Sequence, residues 1–345
     1  MFCVSRRSVG QGMRGRLPAP FREGGEAIRS RGAMTAAVRA GLDQSIRRDR
    51  LDRLTPDDVS ALDYVGFISL IQETNRCPGG LISLRRQAIA SGIDAACEVL
   101  EIGSNTGFTS IELVKMTQCR VTGIEPNFAA VQEARRRQAL LPPELRDRIK
   151  FEVGDARRLG RARGSVDVIV CGGANSFIDG RDAAFGEYQR VLRPLGRVTL
   201  TNFFYLRPPP DSLLRRLRET IGVDIPPWDQ RQWLRLILDG SFWEVICLTT
   251  HPVVARPAAV VTAYVDYMID RPALLDLRAD TRHAVRRRWQ AMCELFNENA
   301  AHLGFFELVL RRPLDGLEEQ APLFLSPGEY DRWFEHDLIA PPKEG

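Results

Sequence analysis

Residues 97–203 alternate between short apolar runs and segments of helical periodicity, and this alternation constrains the fold more than any other feature. Val99 and Ile102 suit a buried strand, whereas Phe108 and Ile111 begin a helical pattern. Strands that alternate with helices favour a doubly wound parallel sheet, which binds ligands beyond the carboxyl ends of its strands. The predicted order is strand 97–102, helix 107–117, strand 120–125, helix 127–140, strand 148–153, strand 166–171, helix 181–193 and strand 197–203.

Further elements are predicted on both sides of this core. Strands at 242–250 and 304–312 bring the total to seven, and two amphipathic helices lie between them, at 258–270 and 279–298. On the N-terminal side, one helix is predicted from "TPDDVSALDYVGFISLIQETNR", with Thr55 as its N-cap. A second helix follows the "CPGG" turn.

The glycine-containing segment "EVLEIGSNTGFTS" connects the first strand to the first helix of the alternation. Such a turn brings bare backbone close to a ligand at a helix N-terminus. A nucleoside triphosphate site needs a lysine after its second glycine, and this loop has none. A dinucleotide site needs G-x-G-x-x-G, but Asn105 and Phe108 occupy the second and third glycine positions, so that interpretation is weak.

Acidic residues at the ends of three strands favour a third ligand. Glu125 ends the second strand, where a carboxylate can accept hydrogen bonds from both ribose hydroxyls. Asp155 follows the third strand, where it can accept a hydrogen bond from an adenine amine, and Glu101 precedes the glycine loop. Three acids and no basic residue in the loop suit the sulfonium and ammonium groups of S-adenosylmethionine better than a polyphosphate.

On these motifs, the sequence resembles the class I, Rossmann-like S-adenosylmethionine-dependent methyltransferases of small-molecule type. The resemblance rests on E-x-G-x-x-x-G at 101–107, the acid of "GIEPN", "GDA" at 154–156, "VDVIVCGG" at 166–173 and "VLRPLGRVTL" at 191–200. It implies a seven-stranded, mostly parallel sheet with the last strand antiparallel. It also implies a cofactor site formed by Glu101, Gly103, Ser104, Asn105, Gly107, Glu125, Pro126, Asp155, Ala156 and Cys171.

Composition, charge and the resemblance together divide the chain into four parts. Residues 1–50 are predicted to be a disordered basic leader, 51–95 a helical cap and 96–312 the methyltransferase domain. Residues 251–303 form a helical insertion in that domain, where we expect acceptor recognition, a lid or homodimer contacts. Residues 313–345 are predicted to be an acidic C-terminal tail.

Charge and composition narrow the class of partner. The leader holds eleven arginines against four acids and the tail eight acids against two bases, so the rest of the chain is nearly neutral. A neutral domain argues against nucleic acid as the partner, and no apolar run approaches the ~20 residues that span a membrane. The seven cysteines show no C-x-x-C pair and the four histidines no ligand spacing. We therefore expect reduced thiols, a cytoplasmic location and no metal.

The acceptor is expected beside the ends of the fourth to sixth strands. Asn175, Asn202 and Tyr205 are the candidate residues of its pocket, and His251 is the hypothesis for a general base because it is the only imidazole at those ends. We expect in-line methyl transfer to a small organic acceptor, in secondary metabolism. Two alternatives stay open: a methyltransferase that acts on RNA or protein, and a binder of the same cofactor that transfers no methyl group.

Overall fold

The computed structural model describes residues 48–74, 76–238 and 243–313. The seven strands of this part of the chain form one sheet in the order β3-β2-β1-β4-β5-β7-β6. β1 to β5 are parallel, whereas β7 lies between β5 and β6 and is antiparallel to both. The predicted fold class, including the antiparallel last strand, is confirmed. The strands are β1 Glu98–Ile102, β2 Arg120–Glu125, β3 Ile149–Val153, β4 Val166–Gly172, β5 Leu192–Tyr205, β6 Glu244–Pro252 and β7 Leu303–Arg311.

Eleven α-helices surround this sheet within the described residues. They are α1 Pro56–Ala61, α2 Tyr64–Leu70, α3 Gly80–Ala90, α4 Phe108–Thr117, α5 Phe128–Ala139, α6 Pro143–Arg146, α7 Arg181–Val191, α8 Asp211–Ile221, α9 Gln230–Leu238, α10 Ala258–Ile269 and α11 Ala279–Ala300. Chain order reverses between β1 and β4, so the loops after these two strands diverge and leave a crevice at their carboxyl ends.

Successive side chains along a strand point to opposite faces of the sheet, and each face has its own hydrophobic core. On β7, Phe306 and Leu308 face a cluster that includes Tyr188 of α7 and Trp233 of α9. On β4, Val168 contributes to the opposite face, which packs against α3, α4 and α5. Both faces of the central strands are therefore buried, as a parallel sheet requires.

The helices before the sheet pack against the helices inserted between β6 and β7. Phe67 of α2 is fully buried and lies 6.3 Å, ring centre to ring centre, from Trp289 of α11. Val265 and Met268 of α10 complete the same cluster. The two segments, far apart in sequence, thus form one helical layer.

Three local predictions differ from the structure. The predicted N-terminal helix begins at Thr55, which accepts a hydrogen bond from the backbone of Asp58, but it ends before Leu62, whose backbone is extended. Asp63 then caps a second helix by accepting a hydrogen bond from the Gly66 N–H at 2.7 Å. The helices α8 and α9 were not predicted, and β5 begins at Leu192, directly after α7.

The predicted leader, apart from its last three residues, and the acidic tail beyond Pro313 lie outside the described residues, so the domain boundaries there stay predictions. In the parts of the chain that the structure describes, no helix combines the length and the apolar character needed to cross a bilayer.

Candidate functional site

A cavity of about 950 Å³ opens at the carboxyl ends of the parallel strands. Its volume lies near the upper end of the ~300–1,000 Å³ typical of ligand pockets. One part of the wall comes from the loops after β1, β2, β3 and β4, and another from α8, the loop that follows α8, and the C-terminal end of α11. The start of α2 and the segment before α3, which includes Arg76, also contribute. Seven of the predicted site residues line it: Gly103, Asn105, Glu125, Pro126, Asp155, Ala156 and Tyr205.

The loop between β1 and α4 depends on two glycines. Gly103 has φ +70°, and a Cβ built on it would lie 2.3 Å from the Cβ of Ala174 in the loop after β4. Gly107 has φ +88°, and its Cβ would meet the Phe151 ring at 2.7 Å. Neither position can hold a larger residue without displacing a neighbour, so these glycines let the loop backbone pack closely against Ala174 and Phe151.

Asn105 occupies the central position of the loop with φ 44°, a left-handed conformation that asparagine tolerates better than most residues. Its backbone N–H donates to Oε2 of Glu125 at 3.1 Å, and the Asn127 N–H donates to Oε1 of the same carboxylate at 3.0 Å. Each carboxylate oxygen therefore keeps further acceptor capacity toward the cavity. Burial raises the pKa of Glu125, although both hydrogen bonds oppose that rise.

Glu101 lies behind the loop and outside the cavity lining, with only 3 % of its surface exposed. Its carboxylate accepts hydrogen bonds from the Ser110 N–H at 3.0 Å and from the Ser110 hydroxyl. Burial raises the pKa of Glu101 to about 7. The side chain thus fixes the first turn of α4, and a contact between Glu101 and the cofactor stays a prediction.

Asp155 lines the cavity but is already paired with Arg157, a contact that the sequence does not indicate. Nη2 of Arg157 lies 2.6 Å from Oδ2 of Asp155, and Nε of Arg157 lies 3.0 Å from both carboxylate oxygens. This guanidinium holds the pKa of Asp155 below its usual value. The cavity is therefore less acidic than the loop sequence alone indicates, since Arg157 also lines it.

Several predicted site residues form the layer behind the cavity instead of lining it. Ser104 and Cys171 are buried beside the loop, and burial raises the pKa of the Cys171 thiol to about 12. Asn175 accepts a hydrogen bond from the Tyr188 hydroxyl at 3.1 Å, and Asn202 accepts one from Ser176 at 3.0 Å. Gly107 belongs to the same layer. The structure thus does not place Asn175 or Asn202 in the acceptor pocket; Ser176, which Asn202 binds, does line it.

His251 also lies away from the cavity, which argues against the general-base hypothesis. Its register partner on β7 is Phe305, and the imidazole stacks on that ring with centroids 4.8 Å apart. Nε2 of His251 lies 3.1 Å from Nη1 of Arg86 on α3 and 3.4 Å from Oε1 of Glu307. The side chain therefore lies on the face of the sheet that α3 covers, and His251 is not among the cavity-lining residues.

The part of the wall away from Glu125 is mainly apolar, and most of its residues were missed. Tyr205, which was predicted, donates through its hydroxyl to Oδ1 of Asn299 at 3.1 Å. A sequence signal existed for α8, since Leu213, Leu214, Leu217 and Ile221 recur at helical spacing. Other apolar lining residues on this side include Phe203, Val223, Ile225, Pro226, Val253, Phe296 and Leu303.

The acceptor groups of the site fit the hydroxyl groups of a nucleoside. Glu125 offers two oxygens that accept hydrogen bonds, and Gly103 and Asn105 line the same cavity. Among the described residues, no group of three or more His, Cys, Asp or Glu side chains has the arrangement of a metal site. The groups that line this cavity can accept hydrogen bonds from a ligand, and its apolar side chains can exclude water.

Comparison with known proteins agrees with this geometry. A family model described as "Methyltransferase domain" matches residues 99–196. An uncharacterized protein of Haemophilus influenzae is 25% identical over 190 residues, which are 54% of this chain and 74% of that protein. A malonyl-[acyl-carrier protein] O-methyltransferase of Xylella fastidiosa is 29% identical over 130 residues, 37% of this chain and 41% of that enzyme. The match thus spans about two fifths of the named relative.

Solved structures share the fold. The MccD protein superposes with a TM-score of 0.59 at 21% identity, over 69% of this chain and 99% of that chain. A phosphoethanolamine N-methyltransferase 2 of Haemonchus contortus, solved with S-adenosyl-L-methionine, gives a TM-score of 0.56 at 15% identity, over 77% of this chain and 60% of that chain. The family match and the fold together confirm the resemblance on which the cofactor prediction rests.

Proposed function

We propose that this chain, which carries a class I S-adenosylmethionine-dependent methyltransferase domain, transfers a methyl group to a small organic acceptor by in-line displacement, in secondary metabolism. The observation that carries this proposal is the composition of the cavity. Backbone and carboxylate groups of the β1 and β2 loops form one part of the wall, and apolar side chains of α8 and α11 form another. One cavity thus offers a nucleoside site beside a site for an apolar molecule.

The residues that would hold the cofactor follow from their contacts. Glu125 would accept hydrogen bonds from the ribose hydroxyls, because both its oxygens retain acceptor capacity. Asp155 would accept a hydrogen bond from the adenine amine, in competition with Arg157. Gly103 and Asn105 would border the methionine portion through their backbone. When bound, S-adenosylmethionine supplies an electrophilic methyl group on a sulfonium.

The protein contributes mainly position and a dry environment. Tyr205 and Phe203 lie at the end of β5, between the loop region and the α8 wall, where they would orient an acceptor. Apolar side chains around a neutralising displacement exclude water, and holding the reactants together replaces a bimolecular encounter. His251 is not required in this scheme, because it lies outside the cavity.

Two further observations support a small acceptor. The Xylella relative is named for methylation of a malonyl group on a carrier protein, and the Haemonchus structure for phosphoethanolamine, so the same fold accommodates small acceptor groups. The chain between the leader and the tail is nearly neutral, whereas a nucleic-acid groove is strongly basic.

Calorimetry followed by an activity screen tests the proposal. We expect purified protein to bind S-adenosylmethionine and S-adenosylhomocysteine, and to release S-adenosylhomocysteine when incubated with S-adenosylmethionine and a bacterial metabolite extract. Mass spectrometry of the same incubation identifies the methylated product. Tight binding of ATP or NADH without binding of either sulfur nucleoside would contradict the proposal. Product formation only with added RNA or protein would favour the corresponding alternative.

A further inference from the structure

The apolar part of the cavity wall is built as a fixed surface. Leu213 and Leu217 of α8 pack against Leu295 of α11, which fastens α8 to the helical layer. Pro210 directly precedes α8, at the end of a run of three prolines, and Pro226 and Pro227 follow it. Prolines restrict the backbone at both ends of the segment, so the wall is largely preformed before a ligand binds.

Charge is balanced on this side of the cavity. Among the described lining residues contributed by α8, the following loop and the end of α11, only Arg218 and Asp224 are charged. Nη1 of Arg218 lies 3.6 Å from Oδ2 of Asp224, and both side chains are mostly exposed at the rim. A charged ligand group here would be desolvated without a dedicated counter-ion, which is unfavourable.

One polar pair interrupts the apolar surface. The Tyr205 hydroxyl donates to Oδ1 of Asn299, and both side chains line the cavity. In the described residues, Nδ2 of Asn299 has no hydrogen-bond partner, so its two N–H groups are available to a ligand. An amide N–H donates, and the matching group on a ligand is therefore an oxygen that accepts.

We infer that the acceptor is an uncharged, mainly apolar organic molecule that presents a carbonyl, ether or hydroxyl oxygen to Asn299, with its apolar body against Leu214, Leu217 and Phe296. This inference rests on the proposed function, since it assigns the acceptor class of the same cavity. It goes further in specifying the charge of the acceptor and the residue that orients it.

A matched pair of probes tests the inference on protein saturated with S-adenosylhomocysteine. 2-Acetylnaphthalene is neutral and carries a carbonyl, whereas 2-naphthoate has the same rings and a negative charge. We expect 2-acetylnaphthalene to bind at least tenfold more tightly, as measured by calorimetry or ligand fluorescence. Equal or tighter binding of 2-naphthoate, or no binding of either compound, would overturn the inference.

Two variants locate the probe. Leu214→Glu places a charge on the lining face of α8 and should weaken 2-acetylnaphthalene binding at least tenfold. Arg215→Glu is the control: it places a glutamate on the exposed face of α8 and should change the affinity for 2-acetylnaphthalene less than twofold. Asn299→Asp keeps an oxygen for the Tyr205 hydroxyl but removes the two N–H donors, so we expect at least fivefold weaker binding. Unchanged affinity in both Leu214→Glu and Asn299→Asp would overturn the assignment.

The two proposals fail in different ways. If the wild-type protein does not bind S-adenosylhomocysteine, the proposed function fails, and the probe titrations are repeated on the protein alone with the same criteria. If S-adenosylhomocysteine binds in every variant but the probes show no preference for the neutral compound, only the acceptor class is wrong. Circular dichroism melting curves confirm that each variant is folded.

Discussion

The carboxylate of Glu125 at the end of β2 accepts a hydrogen bond from the backbone N–H of Asn105 at 3.1 Å, so one side chain both lines the cavity and holds the neighbouring loop. Asn105 has φ 44°, and this hydrogen bond stabilises that left-handed conformation. The carboxylate that is predicted to bind the cofactor and the shape of the loop are therefore coupled. A change at Glu125 should affect both.

We predict that Glu125→Ala weakens the binding of S-adenosylmethionine at least tenfold. The variant removes the accepting oxygens and leaves two backbone N–H groups without their partner, and hydrogen bonds to a charged group each contribute about 1.5–3 kcal/mol. Calorimetric titration measures the affinity. Glu152→Ala, on the neighbouring strand but outside the cavity, is the control and should bind normally. Equal affinities in the two variants would exclude Glu125 from the cofactor site.

Gly103→Ala should destabilise the fold by about 2–4 kcal/mol, because the new Cβ meets Ala174 at 2.3 Å and φ is +70°. Gly186 offers a matched control: it lies on an exposed face of α7, and a Cβ there meets nothing within 4 Å. Gly186→Ala should raise the free energy of unfolding by about 0.5–1 kcal/mol. Urea denaturation measures both variants, and similar effects of the two substitutions would contradict this account.

Much of the fold could be predicted from the sequence because its signals are local. The period of the apolar residues identified every strand, and the acid at the end of β2 follows directly from where that strand stops. The break between α1 and α2 also has a local signal, since Asp63 is a good N-cap for α2. The apolar stripe continues across this break, however, and therefore predicts a single helix.

The positions of side chains that depend on long-range pairing could not be predicted. His251 lies in β6 near its carboxyl end, as predicted, yet its imidazole contacts Arg86 of α3, and this depends on how β6 pairs with β7 and packs against α3. Arg157 follows Asp155 by two residues, and only the turn geometry brings their side chains together. The apolar part of the cavity wall combines α8 with α11, which are separated by more than fifty residues.

The buried carboxylate of Glu101 should make stability depend on pH. Burial raises the pKa of Glu101 from 4.5 to about 7, so the folded state favours the neutral acid. The stabilisation that the folded protein gains from binding this proton is fully present below pH 4.5, and it is lost as the pH rises through about 7. Glu101→Gln keeps an oxygen to accept from Ser110 but cannot ionise. Relative to the wild type, its free energy of unfolding should therefore increase between pH 4.5 and 8, by up to about 3 kcal/mol.

Urea denaturation at pH 4.5, 6 and 8 checks this difference. Glu152→Gln, whose carboxylate is partly exposed, serves as the comparison and should show no such trend. A constant difference between the wild type and Glu101→Gln across these pH values would show that Glu101 stays ionised in the folded protein.

His251→Ala should leave the turnover number and its pH profile unchanged once an acceptor is known. The imidazole stacks on Phe305 and contacts Arg86 and Glu307, all outside the cavity lining. Steady-state rates between pH 6 and 9 measure the profile. A changed pH profile, or a hundredfold fall in turnover, would restore the general-base hypothesis derived from the sequence.

Arg181 should be a positioning residue for the loop after β4. Its guanidinium donates to the carbonyl oxygens of Asn175 at 2.8 Å and Ser176 at 2.9 Å, and it lies 5.5 Å from the Trp228 ring and 5.6 Å from the Trp233 ring. Ser176 lines the cavity, so this contact joins the core to the site. Arg181→Ala should lower the free energy of unfolding by about 2–4 kcal/mol, from lost charged hydrogen bonds and cation–π contacts.

Arg181→Lys is the decisive comparison. A lysine keeps the positive charge but lacks the planar fork that reaches two carbonyl oxygens while lying near both indole rings. We therefore expect Arg181→Lys to bind S-adenosylhomocysteine several-fold more weakly than the wild type. The affinities are compared under conditions, including any urea present, in which tryptophan fluorescence shows that both proteins are fully folded. Because Ala174, in the same short loop, touches Gly103, loosening the loop should reach the cofactor side of the cavity. Wild-type affinity in the lysine variant would show that the charge alone suffices and that the fork geometry does not position the loop.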